Sequence, residues 1–145
     1  MPTVAKGRRL AFDYGDVRIG VALSDASGLL ATPYGVILTM QDPLAAIRKI
    51  VEEFEPIYFA VGIPRHLSGN PSAKMDSVEE FITTLESNFA IPIVRIDERL
   101  STISAARSLR DSGKNAKDSK SLIDAAAAAT ILEIALAQEK QNSDE

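Results

Sequence analysis

The run Ile57, Tyr58, Phe59, Ala60, Val61, closed by Pro56 before it and Gly62 after it, constrains the fold of this chain most. Five consecutive apolar or aromatic side chains leave no polar face for water, so a strand built from them must be covered on both sides. Tyrosine and phenylalanine within the run favour strand over helix. Helical periodicity flanks it. Leu44, Ile47, Ile50, Val51 and Phe54 recur on one helix face after the start signal of Asp42 and Pro43. Met75, Val78, Phe81, Ile82 and Leu85 do the same after residues 62–72, whose glycines and prolines read as a loop. A central strand between two amphipathic helices predicts an α/β protein.

Upstream, residues 9–14 and 18–23 read as strands joined by a turn at Gly15 and Asp16. A second turn at 25–28 leads to an apolar, β-branched run over 30–39, which completes an antiparallel meander. Downstream, 92–96 reads as a fifth strand. Ser101 or Thr102 can cap a helix that Gly113 ends, and Ser121 opens a last helix to about Gln138. The expected architecture is a five-stranded mixed sheet, its first three strands antiparallel, flanked by about four helices. One domain over 1–140 with a disordered tail at 141–145 is the expectation for 145 residues that are 46% hydrophobic and 25% charged. Folding at this length buries roughly two-thirds of the unfolded surface, so any metal would serve chemistry rather than stability.

The chain contains no cysteine, which excludes disulfide frameworks, zinc–thiolate sites and cysteine nucleophiles, and fits a reducing compartment. The polar N-terminus carries no signal-like apolar run and no segment is long enough to span a membrane, so a cytoplasmic location is expected. A net charge of −4 argues against general polyanion binding. Charge is unevenly spread, however. Arg99, Arg107, Arg110, Lys114, Lys117 and Lys120 form a basic island, which can be a solvated surface run or a nucleic-acid contact.

Four acidic positions are candidates for chemistry. Asp13 closes the first predicted strand, where open α/β sheets place ligand crevices, although an aspartate beside Tyr14 and Gly15 can simply build a turn. Asp97 and Glu98 leave the fifth strand on opposite sides, so one can face the same crevice; both can instead serve as acids at the start of the next helix. Asp124 lies beside a run of five alanines, and its spacing from Ser121 also fits a capping box. Together these carboxylates offer hard oxygen ligands suited to Mg²⁺ or Mn²⁺. Two such ions about 4 Å apart can activate water and stabilise a leaving oxygen in phosphodiester hydrolysis. His66, the single histidine, and Arg65 lie in the 62–72 loop. Arg18, Arg65 and Arg99 can contact backbone phosphates or pair with acids, and His66 can move a proton or be a plain surface residue.

Five segments, taken in order, are more specific than any one alone. They are Phe12-Asp13-Tyr14-Gly15; Arg18-Ile19-Gly20-Val21-Ala22 with Ser24-Asp25; Val61-Gly62-Ile63-Pro64; Asp97-Glu98-Arg99-Leu100-Ser101-Thr102; and Ile123-Asp124 with Ala125-Ala126. This series resembles the successive motifs of the YqgF family over nearly the whole chain. The resemblance implies a ribonuclease H-like fold. It also implies a metal-dependent nuclease with an acidic site of Asp13, Asp124 and either Glu98 or Asp97, using two Mg²⁺ or Mn²⁺ ions when substrate is bound. Members of the family are regarded as nucleases that mature the 5′ end of pre-16S ribosomal RNA, and they resemble RuvC-type Holliday junction resolvases. In one respect the chain departs from the RuvC pattern: those enzymes carry a glutamate on the fourth strand, where Val61 and Gly62 stand here, so the ligand must come from Asp97 or Glu98. Glu98 is the expected choice, since its longer side chain reaches further.

Three other functions fit parts of the same sequence. A junction-cutting DNA endonuclease keeps the chemistry and calls for a dimer, whereas an RNA nuclease can act as a monomer or weak homodimer. A ribosome-assembly factor on pre-ribosomal particles could use the basic island to bind structured RNA without cleavage. A sugar-kinase or actin-like nucleotide-binding domain shares the opening strand, turn and hairpin, but pairs two domains where 145 residues supply one.

Overall fold

A computed structural model describes residues 6–64, 73–98 and 117–143, with the backbone alone for 73–74, 117–121 and 143. Its strands are β1 (Arg9–Asp13), β2 (Arg18–Ser24), β3 (Ala31–Leu38), β4 (Tyr58–Ile63) and β5 (Ile93–Asp97). Its helices are α1 (Pro43–Phe54), α2 (Ala73–Asn88) and α3 (Lys117–Ser143). The strands form one sheet in the order β3-β2-β1-β4-β5. β1 pairs antiparallel with β2, and β2 with β3, while β1–β4 and β4–β5 are parallel. The meander and the helix-connected strands therefore meet at β1. On the β3 edge, Pro33 occupies a strand position that a sheet interior would refuse.

Pleating gives the sheet two unlike faces. Leu10, Phe12, Ile19, Val21, Phe59 and Val61 point to one side and pack against Ile47 and Ile50 of α1 and Val78, Phe81, Ile82 and Leu85 of α2. Edge-on ring contacts of Phe12 with Phe59 (5.4 Å between centroids) and with Phe81 (5.6 Å) lie in this layer. Each such side chain, fully buried, contributes about 1.5–3 kcal/mol. The opposite face is lined by small side chains: Ala11, Ala22 and Ala60 meet Ala127, Ala128, Ala129, Ile131, Leu132 and Ala135 of α3. With so little side chain between them, the helix backbone lies directly on the strands. The alanine run is thus a close-packing surface.

Ion pairs tie α3 down toward each end. Arg9, fully buried, donates from Nε and Nη2 to the carboxylate of Glu139 at 3.1 and 2.9 Å, and the Tyr58 hydroxyl donates to the same carboxylate at 2.8 Å. Burial, followed by the nearby Glu139 carboxylate, pushes the Tyr58 hydroxyl pKa far up. Near the other end, Arg18 pairs with Asp124.

Local signals agree with the structure at α1, where the Asp42 carboxylate accepts from the Ala45 N–H at 3.3 Å and Pro43 opens the helix. Elsewhere the boundaries move. β4 runs on through Gly62 and Ile63, which the sequence reading put in a loop, because the ladder to Ile96 and Asp97 continues there. α3 starts at Lys117 rather than Ser121 and ends at Ser143 rather than near Gln138, so 141–143 are helical and not tail. No proline or glycine interrupts 117–143, and nothing there breaks the helix. The helix expected after Ser101 lies outside the described residues. Among the described residues, no helix is long and apolar enough to cross a membrane.

Candidate active site

Asp13 ends β1 on the face covered by α3, since Ala11 two residues earlier belongs to that face. It sits between two glycines. Its partner on β2 is Gly20, and the step after the Phe12–Val61 pair sets it beside Gly62 on β4. With no side chain on either neighbouring strand, the space around Asp13 is filled from elsewhere. At Gly20 the backbone of α3 fills it: a Cβ there would overlap the carbonyl oxygen of Asp124 and lie 2.6 Å from the carbonyl carbon. At Gly62 a Cβ would lie 2.9 Å from Oε1 of Glu98 and 2.5 Å from Cδ1 of Ile131. Two glycines thus admit two further acidic residues to the row that holds Asp13.

Strand pleating decides between Asp97 and Glu98. Asp97 is the last residue of β5, paired with Ile63, and Ile96 before it faces α3, so Asp97 points to the opposite side. Asp97 therefore drops out of the ligand set left open by the sequence. Glu98 turns back to the α3 side and is buried, with its carboxylate against Gly62. The position that lacks a β4 acid receives one from the end of β5. Asp124 sits seven residues into α3, well past its first turn, which removes the capping-box alternative.

Asp13, Glu98 and Asp124 are 3%, 5% and 2% exposed. Burying ionised carboxylates is costly unless cations or hydrogen-bond donors accompany them. Among the described residues, Arg18, two residues before Gly20 on the same face, donates from Nε to Oδ2 of Asp124 at 2.8 Å. On the sheet's other side Tyr14 packs its ring on Phe81, and burial, then Asp16 and Glu80, raise its hydroxyl pKa. Among the described residues, no three acidic side chains meet closely enough to cage an ion by themselves. The donor set is nevertheless all hard oxygen, which fits Mg²⁺ or Mn²⁺ bound through one or two carboxylates and completed by water and substrate oxygens.

Other candidates fare differently. Arg65, His66, Arg99, Arg107 and Lys114 lie outside the described residues. Lys117 and Lys120 fall in the first turn of α3, at the end nearer Asp124. Sequence reasoning passed over Gly20 and Gly62 as site-forming residues. Their signal was a glycine within each of two apolar strands, one beside Ile19 and Val21, the other beside Val61 and Ile63.

A five-stranded mixed sheet with β1 central, covered by helices on both faces and carrying buried acids at the end of β1, after β5 and on α3, is a ribonuclease H-like fold. Similarity to known proteins narrows the class. The family described as "RuvX: Holliday junction resolvase" matches residues 7–138, and this chain belongs to it. A relative from Streptomyces coelicolor is 42% identical over 142 residues, covering 96% of this chain and 85% of its own. One from Leifsonia xyli subsp. xyli is 42% identical over 139 residues, covering 94% and 90%. Both bear the name "Putative pre-16S rRNA nuclease". Among solved structures, Thermus thermophilus RuvC matches with a TM-score of 0.54 at 17% identity, covering 94% of this chain and 97% of that one. The same protein in complex with a Holliday junction substrate gives 0.55 at 17% identity, covering 93% and 96%. Family membership makes the chain a phosphodiester hydrolase that acts on nucleic acid.

Proposed function

We propose that this chain is a divalent-metal-dependent nuclease acting in the cytoplasm on precursor 16S ribosomal RNA, in the maturation of its 5′ end within pre-ribosomal particles. The observation that supports the reading is that Asp13, Glu98 and Asp124 are all buried on the α3-covered side of the sheet, Glu98 with its carboxylate against Gly62 and Asp124 with its backbone against Gly20. One or two of these carboxylates, completed by water and substrate oxygens, would hold the ion. When bound, Mg²⁺ or Mn²⁺ supplies an activated water and neutralises charge on the leaving oxygen. The protein does the rest. Rigid placement of Asp13 at a strand end and of Asp124 on a helix that rests on Gly20 fixes the carboxylates relative to one another. Arg18, at the rim, is placed to meet a backbone phosphate. Lys117 and Lys120 fall in the first turn of the helix that carries Asp124.

The test is cleavage of an end-labelled pre-16S RNA fragment and of a four-way DNA junction, each with Mg²⁺, Mn²⁺ or EDTA. Metal-dependent cleavage of the RNA that drops by about 10³-fold or more in Asp13→Asn is expected, the scale on which removal of a key catalytic group acts. Preferential cutting of the junction would favour the activity in the family's description. Binding of the RNA without cleavage in any metal would overturn the catalytic reading and leave an assembly factor.

A further inference from the structure

We propose that Arg18 is a latch on the acidic site: in the substrate-free protein its guanidinium occupies Asp124, and a phosphodiester backbone that draws it away makes Asp124 available to a divalent cation. Binding of cation and of nucleic acid are then coupled through one side chain. The inference rests on the metal-nuclease reading above and adds the order imposed on its two ligands.

Several observations point this way. Nε of Arg18 donates to Oδ2 of Asp124 at 2.8 Å, so one positive charge already sits on a carboxylate that is 2% exposed. Asp124 is held beside Arg18 by its helix, whose backbone packs on Gly20 and which is tied at the far end by Arg9 and Glu139. Arg18 has more freedom. Its side chain is 18% exposed, and it is the first residue of β2, at the open end of the sheet. Among the described residues its side chain makes no other hydrogen bond or ion pair. A guanidinium has five N–H donors in a planar fork, and here one of them is engaged. The two terminal amino groups match the two oxygens of a phosphodiester, a bidentate pairing that a single Nε contact does not equal. Moving the guanidinium from carboxylate to phosphate keeps it paired throughout. It also removes the Arg18 charge from Asp124 at the moment a scissile phosphate arrives, when a cation is needed. A cation entering without nucleic acid must instead displace Arg18 into water. Linkage then requires that each ligand strengthen the other by the same factor.

Mn²⁺ binding to the full chain, followed by the electron paramagnetic resonance signal of the free ion, tests this directly. It would be measured at fixed ionic strength with and without an uncleavable 2′-O-methyl RNA stem-loop, subtracting ion bound by the RNA alone. The expected result is that the stem-loop tightens Mn²⁺ binding to the wild type about tenfold, within the usual range for coupled sites. Arg18→Gln should bind Mn²⁺ about tenfold tighter than the wild type without RNA, and gain little more from the stem-loop. If Arg18→Gln binds Mn²⁺ no more tightly than the wild type, the latch is wrong while the metal site stands. If neither protein binds Mn²⁺ even with RNA, the metal-site reading fails and the latch with it. A measurement on the wild type alone guards against a variant that does not fold. The Arg18 Nε–H resonance in an ¹⁵N spectrum should shift when Mg²⁺ and the stem-loop are added together and stay in place with Mg²⁺ alone. A shift of equal size with Mg²⁺ alone would overturn the proposal.

Discussion

Replacing Gly20 by alanine tests the claim that the site depends on backbone lying directly on backbone. A Cβ at position 20 would stand 2.6 Å from the carbonyl carbon of Asp124 and 3.3 Å from the nitrogen of Ala125, and would overlap the Asp124 carbonyl oxygen. Carbon atoms in contact sit about 3.5–4.0 Å apart, so α3 must retreat by about 1 Å or β2 must give way. All three obstructing atoms are main chain, and no rotamer change relieves them. Overpacking of this kind costs about 1–3 kcal/mol, of which roughly 0.5–1 kcal/mol is offset by the lower chain entropy of alanine in the unfolded state. A net loss of about 1 kcal/mol, divided by a urea slope of about 2 kcal/mol per molar, lowers the unfolding midpoint by about 0.5 M. Fluorescence is poorly suited, as the chain has no tryptophan, so the transition is best followed by circular dichroism. Gly35→Ala is the matched control, because a Cβ there meets nothing within 4 Å, and its midpoint should be unchanged or slightly higher. Cleavage by the folded Gly20→Ala protein should fall by about 100-fold, the scale of a 1 Å displacement of a catalytic group. A Gly20→Ala midpoint matching that of Gly35→Ala would refute the packing argument.

Three further outcomes follow from the same geometry. Gly62→Ala meets only the tips of Ile131 and Glu98, so it should cost no more than about 1–2 kcal/mol in urea unfolding while impairing cleavage, because the Glu98 carboxylate must move; loss of both in proportion would contradict it. Glu139→Leu leaves the fully buried Arg9 guanidinium without its bidentate partner and should destabilise by about 3–5 kcal/mol, whereas Arg9→Met with Glu139→Leu should recover much of that loss. A double variant no more stable than Glu139→Leu would show that the pair is not acting as a unit. The Asp25 carboxylate is held below its ordinary pKa by the backbone N–H groups of Leu30 and Leu29, so its contribution is present above about pH 4 and is lost as pH falls through its lowered folded value. Acid titration of Asp25→Asn should therefore show a shallower fall in stability below pH 4 than the wild type, and identical curves would remove Asp25 from the account.

Much of this architecture could be read from the chain. Ile57 to Val61 announced a strand covered on both faces, Asp42 and Pro43 marked a helix start, and Asp13 stood at a strand end. Those signals are local, depending on neighbours two to four residues away. Other features were hidden because they are set by contacts between distant segments. Asp124 looked like a capping residue as long as Ser121 was taken for the helix start, and only the continuous helix from Lys117 removes that reading. The choice of Glu98 over Asp97 required the register of β5 on β4, in which a one-residue slip would exchange the two. Gly20 and Gly62 looked like weak points in their strands. Their meaning depends on what approaches from α3 and from the end of β5, neither of which is near them in sequence.

The vacancy at Gly62 bears on how relatives of this protein are compared. Since the Glu98 carboxylate occupies the room that a side chain at 62 would need, the two positions cannot both be filled as they stand. They behave as one slot that can be loaded from either of two strands. A lineage could transfer the acid between them through paired changes and keep the same arrangement of charge. An alignment that scores each column separately would record that transfer as the loss of one catalytic residue and the chance gain of another. Carboxylates matched by position in space would record no change.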